Sequence, residues 1–96
     1  MPSTTIRVAH RSGSVYDVTV QDDRSSTTHQ VTVWPSDVAR YAPEATPEAL
    51  VEASFSFLLE REPKEAILRR FELPVIEQYF PEYPAHITEL LSGGGR

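Results

Sequence analysis

The feature that most constrains the fold is a pair of segments in which apolar and polar residues alternate. Residues 16–20 read Tyr-Asp-Val-Thr-Val, and residues 27–34 alternate in the same way. A period of two is typical of strands with one buried face, and the polar run at 22–26 between them is typical of a turn. The sequence therefore predicts an antiparallel β-hairpin. Its predicted inner face consists of Tyr16, Val18, Val20, His29, Val31 and Val33.

Matching the apolar faces also predicts a register for this hairpin. It places Val18 opposite Val31, with a four-residue loop at 23–26. A slip by one residue would set Asp17 against Val31 and bring a carboxylate onto the inner face. The pairing in which apolar residues face each other is therefore favoured.

The N-terminal residues allow two interpretations. Ile6 and Val8 alternate, and a turn at 11–13 would place Val8 opposite Tyr16 in a third strand. An isolated two-stranded hairpin is only marginally stable in water, so a further strand or a helical cover is needed. The alternatives are a strand over residues 4–10 and a mobile segment over residues 1–13.

The rest of the chain predicts short helices bounded by prolines. Thr46-Pro47-Glu48 combines a capping hydroxyl, a proline in the first turn and a carboxylate near the helix N-terminus, so a central buried helix is predicted from there to about Arg61. The fold class is therefore α+β: an N-terminal antiparallel β-hairpin, or a three-stranded meander, packed against three to four short C-terminal helices. The sequence predicts one domain over residues 1–91 and a disordered tail over 92–96. The shorter helical segments are predicted at 36–41, 63–71, 74–80 and 84–91.

Composition bounds the possible functions. The chain has 96 residues, a net charge of −5 and no cysteine, which excludes disulfides, thiol nucleophiles and cysteine-ligated metal sites. The acidic balance disfavours nucleic acid as a partner. No apolar run approaches the roughly 20 residues that cross a bilayer, and the first residues do not resemble a signal peptide, so a cytoplasmic location without membrane association is expected.

No residue pattern indicates catalysis or a cofactor. The three histidines, His10, His29 and His86, lack the spacing of a metal site, and Gly13 is the only glycine before the C-terminal tail, so there is no phosphate-binding loop. We therefore expect a protein that is not an enzyme, binds no cofactor or metal, and has no small-molecule ligand identifiable from its sequence.

Residues 64–80 have the proportions of a helix-turn-helix motif, with a first helix carrying Ala66 and a second with Ile76 and Tyr79 inward. The predicted second helix contains no Lys or Arg for contacts to DNA. A small DNA-binding or antitoxin-type regulator is therefore the alternative function rather than the preferred one.

Two features suggest an interaction surface. Trp34 is predicted opposite Val15, on the hairpin face away from the core, and an exposed aromatic side chain of this kind often anchors a protein interface. The alternative is that the N-terminus or the turn at 38–41 covers it. Arg69 and Arg70 belong to a basic cluster that can contact an anionic partner, although glutamates interspersed along the same segment favour a solvated helix face over a binding site. The candidate interaction surface is Val15, Trp34, Arg69 and Arg70.

Several runs together resemble a family of small uncharacterised bacterial proteins with no assigned function. They are Tyr-Asp-Val-Thr-Val at 16–20, His-Gln-Val-Thr-Val at 29–33, the segment 46–63, Ile-Leu-Arg-Arg-Phe at 67–71 and Tyr-Phe-Pro-Glu-Tyr at 79–83. The resemblance implies a bacterial cytosolic protein and supplies no site residue. The function predicted from the sequence is a small non-enzymatic protein-interaction or regulatory module, whose partner is another protein or a second copy.

Overall fold

Four strands and four α-helices make up the computed structural model, which describes residues 3–92 and the side chains of residues 3–91. The elements are β1 (Thr5–Ser12), β2 (Val15–Gln21), β3 (Ser26–Thr32), α1 (Pro35–Tyr41), α2 (Pro47–Leu59), β4 (Arg70–Glu72), α3 (Val75–Tyr79) and α4 (Tyr83–Ser92). The strand order is β1-β2-β3-β4, with β1, β2 and β3 antiparallel and β4 parallel to β3. The predicted α+β class is confirmed, with a three-stranded meander and a fourth strand.

The inner face of the sheet and α2 form the centre of the core. Val18, Val20 and Val31 are fully buried, as are Leu50 and Phe55 of α2. Removing one such side chain from water stabilises the fold by roughly 1.5–3 kcal/mol. The predicted buried face of the hairpin and the central position of α2 are both confirmed.

The predicted register of the hairpin was wrong by two residues. Val18 lies opposite His29 rather than Val31. The reason is the turn: Oδ1 of Asp22 accepts hydrogen bonds from the backbone N–H groups of Arg24 and Ser25, so the loop begins one residue earlier than predicted. A shift of two residues keeps every side chain on its predicted face.

The third strand is present as β1, with Val8 opposite Val18 rather than Tyr16. The turn falls at Gly13 and Ser14, and Gly13 has a φ of +54°, a conformation that glycine adopts without strain. A bulge between His10 and Ser12 accompanies this turn.

The predicted helix over residues 63–71 was wrong. Lys64–Ala66 forms only a 3-10 turn, and the chain then extends into β4. Residues 64–80 therefore do not form a helix-turn-helix motif. Tyr79 was also predicted to point inward, whereas 67% of its surface is exposed. The backbone of β3 explains why residues 67–71 are not helical. The N–H of Gln30 donates to the carbonyl of Arg69 at 2.7 Å and holds the chain extended before β4.

The remaining helices lie close to their predicted positions. Thr46 caps α2 by accepting a hydrogen bond from the N–H of Ala49. The first helix begins at Pro35, one residue before the predicted start at residue 36, and the carboxylate of Asp37 accepts the backbone N–H of Trp34 there. Of the predicted tail, residue 92 is the last residue of α4, and residues 93–96 lie outside the described part of the chain.

His29 is a polar side chain on the inner face, only 1% exposed. Its Nδ1 lies 2.8 Å from the carbonyl oxygen of Leu68, and its Nε2 lies 2.8 Å from Oγ1 of Thr27. A carbonyl only accepts, so the neutral ring donates from Nδ1 and accepts the Thr27 hydroxyl at Nε2. Burial lowers the pKa of His29 below its ordinary value, although the bond to Leu68 opposes the shift in part.

We predict that the protein loses stability as the pH falls from about 7 to about 5. The unfolded chain takes up a proton at His29 before the folded chain does, so protonation favours unfolding in this window. Urea unfolding at a series of pH values measures the effect. His29→Gln should flatten the pH dependence relative to the wild type. An equally steep dependence in His29→Gln would contradict the assignment.

A buried lysine joins the β2–β3 turn to the 3-10 turn. Lys64 is 5% exposed, and its Nζ donates to Oδ2 of Asp22 and to Oε2 of Glu65, both at 2.7 Å. The bond from Lys64, followed by the two backbone N–H bonds in the turn, lowers the pKa of Asp22 to about 2. The ion pair thus fixes the end of the hairpin against the segment that leads into β4.

Lys64→Met should raise the pKa of Asp22 towards its ordinary value, because methionine keeps the apolar packing and removes the cation. In the wild type, the stability contributed by Asp22 is present above about pH 4 and is lost as the pH falls towards 2. Side-chain carboxyl NMR titration measures the pKa directly. A pKa of Asp22 that stays near 2 in Lys64→Met would show that the backbone N–H groups alone cause the shift.

Candidate protein-interaction surface

The second face of the sheet, here the outer face, is open to solvent. Residues paired across strands share a face, so the outer face follows from the register. Every described residue on this face is exposed or half-buried, and none is buried. The outer face consists of Thr5, Arg7, Ala9, Val15, Asp17, Thr19, Gln21, Ser26, Thr28, Gln30, Thr32, Arg70 and Glu72.

A shallow polar depression of about 570 Å³ crosses the outer face. Its lining consists of Arg11, Asp17, Thr19, Thr28, His29, Gln30, Arg69 and Arg70. Hydroxyl and amide groups of β2 and β3 contribute hydrogen-bond donors and acceptors, while arginines from β1 and from the β4 segment contribute charge. The depression therefore combines donors with a local positive charge.

Cationic side chains without an ionic partner are concentrated on this side of the molecule. Arg7, Arg69 and Arg70 make no side-chain hydrogen bond or ion pair with any residue that the structure describes. Arg24, in the β2–β3 turn, is the one further arginine among the described residues whose side chain makes no hydrogen bond or ion pair. The depression is therefore positive although the whole chain carries a net charge of −5.

Arg11 differs from these residues because its Nη1 lies 2.9 Å from Oδ2 of Asp17. Both side chains are partly exposed, so the pair contributes less than about 1 kcal/mol to stability. Asp17 lies directly opposite Ala9 in β1. Arg11 can leave Asp17 for another anion at little energetic cost.

The apolar end of the outer face contains two of the four residues singled out in the sequence. The predicted pairing of Val15 with Trp34 was wrong, because the two-residue shift in register places Val15 opposite Thr32. Val15 is half-buried, and Trp34, two residues beyond Thr32, is 48% exposed. Arg70 pairs with Gln30, one row of side chains further into the face. The structure thus places Val15 and Arg70 on one surface, with Trp34 at its end and Arg69 at the rim of the depression.

Sequence reasoning missed the residues that β1 and the middle of β2 and β3 contribute to the outer face. Arg7 and Arg11 were not associated with the Arg69-Arg70 cluster, because they come together only through the pairing of β1 with β2 and of β4 with β3. One signal was available: Arg7 alternates with Ile6 and Val8, which predicts that it lies on the outer face if β1 forms.

The free edge of β1 is a second candidate for contact with a partner. The N–H of Gln30 points to β4, so by alternation the hydrogen-bonding groups of Val18 point to β3 and those of Asp17 point to β1. It follows that the N–H and C=O groups of Ile6 and Val8 point away from β2. No described strand pairs with this edge, so it can accept a further strand.

Comparisons with protein-family models, curated proteins and solved structures found no match for this chain. The resemblance to small bacterial proteins therefore stays a prediction. Within residues 3–92, no helix has the length and apolar character needed to cross a membrane. In the same range, no group of three or more His, Asp or Glu side chains is placed to hold a metal ion.

Trp34→Ala should change the free energy of unfolding by less than about 1 kcal/mol, because half of this side chain is already in water. Phe55→Ala, at a fully buried position in α2, should lower it by about 3–5 kcal/mol. Urea unfolding of both variants measures the difference. If Trp34→Ala were as damaging as Phe55→Ala, Trp34 would belong to the core and not to an interaction surface.

Proposed function

We propose that this protein is a small non-enzymatic interaction module that binds an acidic segment of another protein on the outer face of its sheet. The observation that carries the proposal is an open polar depression lined by Arg69 and Arg70, which have no ionic partner, with a third unpaired arginine, Arg7, on the same face of the sheet. Cationic side chains placed around a cleft attract anionic partners and orient them.

The apolar end of the face favours a protein segment over other polyanions. Trp34 and Val15 offer a contact for an aliphatic or aromatic side chain, and buried aromatic anchors contribute most of the energy in many protein interfaces. Single-stranded nucleic acid is bound mainly through base stacking on several aromatic side chains. Trp34 is the only aromatic residue at this face among the described residues.

The alternative of a helix-turn-helix regulator is not carried forward. It depended on two helices in residues 64–80, and the structure has a 3-10 turn, a strand and one short helix there. Self-association is a different form of the same proposal, in which the partner is a second copy that uses the outer face or the edge of β1.

The proposal is tested by NMR titration of the ¹⁵N-labelled protein with a short blocked peptide rich in glutamate that contains one leucine and one phenylalanine. Amide signals of β2, β3 and β4 should shift, and binding should weaken as salt is raised. Arg70→Glu should weaken binding at least about fivefold. Arg24→Glu makes the same change in net charge at an exposed turn outside the depression, so it should have a smaller effect.

Three results would contradict the proposal. The first is the absence of shifts at low ionic strength, where charge attraction is strongest. The second is an equal loss of affinity in Arg24→Glu and Arg70→Glu, which would indicate a response to net charge alone. The third is tighter binding of single-stranded oligothymidine than of the peptide. Sedimentation equilibrium tests the second-copy form: a dimer that Trp34→Ala abolishes would identify self-association.

A further inference from the structure

An apolar groove of about 370 Å³ lies on the inner side of the sheet, away from the outer face. It runs between the C-terminal end of α2, the segment that leads into β4, and α3. Its volume falls within the range of pockets that bind small ligands or a few side chains of a peptide. The lining consists of Leu58, Glu62, Ala66, Ile67, Leu68, Phe71, Val75, Ile76, Tyr79 and Phe80.

Two exposed apolar side chains flank the groove. Leu68 is 46% exposed and Tyr79 is 67% exposed, and these are two of the four large hydrophobic side chains that the described chain leaves in solvent. Covering exposed apolar surface with a ligand contributes roughly 25 cal/mol of favourable free energy for each Å² removed from water. Because both residues border one concavity, a single apolar ligand can cover them together.

Glu62 gives the groove a charge. Its side chain is half-buried and lines the groove, and its carboxylate makes no hydrogen bond or ion pair within the described residues. The adjacent Arg61 cannot neutralise it, because the guanidinium is engaged with Glu82 and Glu60. A carboxylate without an ionic partner forms a charge-assisted hydrogen bond when a cation binds beside it.

We propose that this groove binds a segment of a partner protein that carries large apolar side chains next to a lysine or arginine. The apolar side chains lie between Leu68 and Tyr79, and the cation pairs with Glu62. A second copy of the chain is disfavoured, because a symmetric contact through this groove would bring two Glu62 carboxylates together. The required partner is basic, whereas the outer face requires an acidic one, so the two sites are independent.

The probes are two short blocked peptides that are identical, with two leucines and a phenylalanine, except that one has lysine where the other has glutamate. Each is titrated into the ¹⁵N-labelled protein. The lysine peptide should shift the amide signals of Leu68, Phe71 and Tyr79 and should bind at least about fivefold more tightly than the glutamate peptide. Glu62→Gln should remove this preference.

Matched variants separate the groove from general effects of charge and folding. Glu52→Gln removes a carboxylate from the exposed surface of α2 outside the groove, so the preference for lysine should persist. Leu68→Ser, at a half-exposed position, should weaken both peptides while the circular dichroism spectrum stays that of the wild type. Arg70→Glu should leave lysine-peptide binding intact even if it abolishes binding of the acidic peptide to the outer face.

The proposal is overturned if the lysine peptide causes no shift at the groove at millimolar concentration. It is equally overturned if the two peptides bind with the same affinity, or if Glu62→Gln keeps the preference for lysine. A loss of the preference in Glu52→Gln would show that net charge, and not Glu62, selects the ligand.

Discussion

The fold depends on the hydrogen bonds made to β3 on the side that faces away from β2. On one side β3 pairs with β2, and on the other it presents backbone groups and the buried ring of His29. A buried polar group left without a partner costs about 1–3 kcal/mol. The Leu68 carbonyl meets Nδ1 of His29, the Arg69 carbonyl accepts from Gln30, and the Leu73 N–H donates to Thr32. These bonds hold residues 68–73 extended and so determine where the C-terminal half of the chain lies.

The contrast between β2 and β4 shows what the sequence can and cannot predict about this sheet. Alternation identified the inner face of β2 and β3 correctly, because successive side chains along a strand point to opposite faces and only one face is buried. The same period makes registers that differ by two residues equivalent, and the choice was made by hydrogen bonds of Asp22 within the turn. Residues 70–73 also alternate, as Arg-Phe-Glu-Leu, but this run is too short to outweigh the helical pattern around it. Its pairing with β3 is a contact between residues about forty positions apart, which local patterns do not report.

The same reasoning applies to the candidate interaction surface. The exposure of Trp34 was predicted from the hairpin alone, because alternation over residues 27–34 places it on the side opposite to the buried Val33. Arg69 and Arg70 were singled out as a cluster on a predicted helix, whereas the structure places Arg70 in β4 and brings it to the side of the sheet that also carries Arg7. The joint surface could not be predicted, since it requires all three strand pairings at once. The free carboxylate of Glu62 was likewise inaccessible to sequence reasoning, because the nearest cation along the chain, Arg61, is oriented towards a residue in a different segment.

One short strand contributes to both proposed surfaces. Phe71 of β4 points into the core and lines the apolar groove, while the neighbouring Arg70 points outward and lines the polar depression. A substitution that disturbs the backbone of β4 therefore alters the acidic-partner and the basic-partner surface together, and it cannot assign a function to either. Only side chains that reach a single surface separate the two, which makes Arg70 on the outer face and Glu62 beyond the end of α2 the informative positions. Because these two side chains have opposite charges, an acidic or a basic partner is expected to respond to one and not to the other.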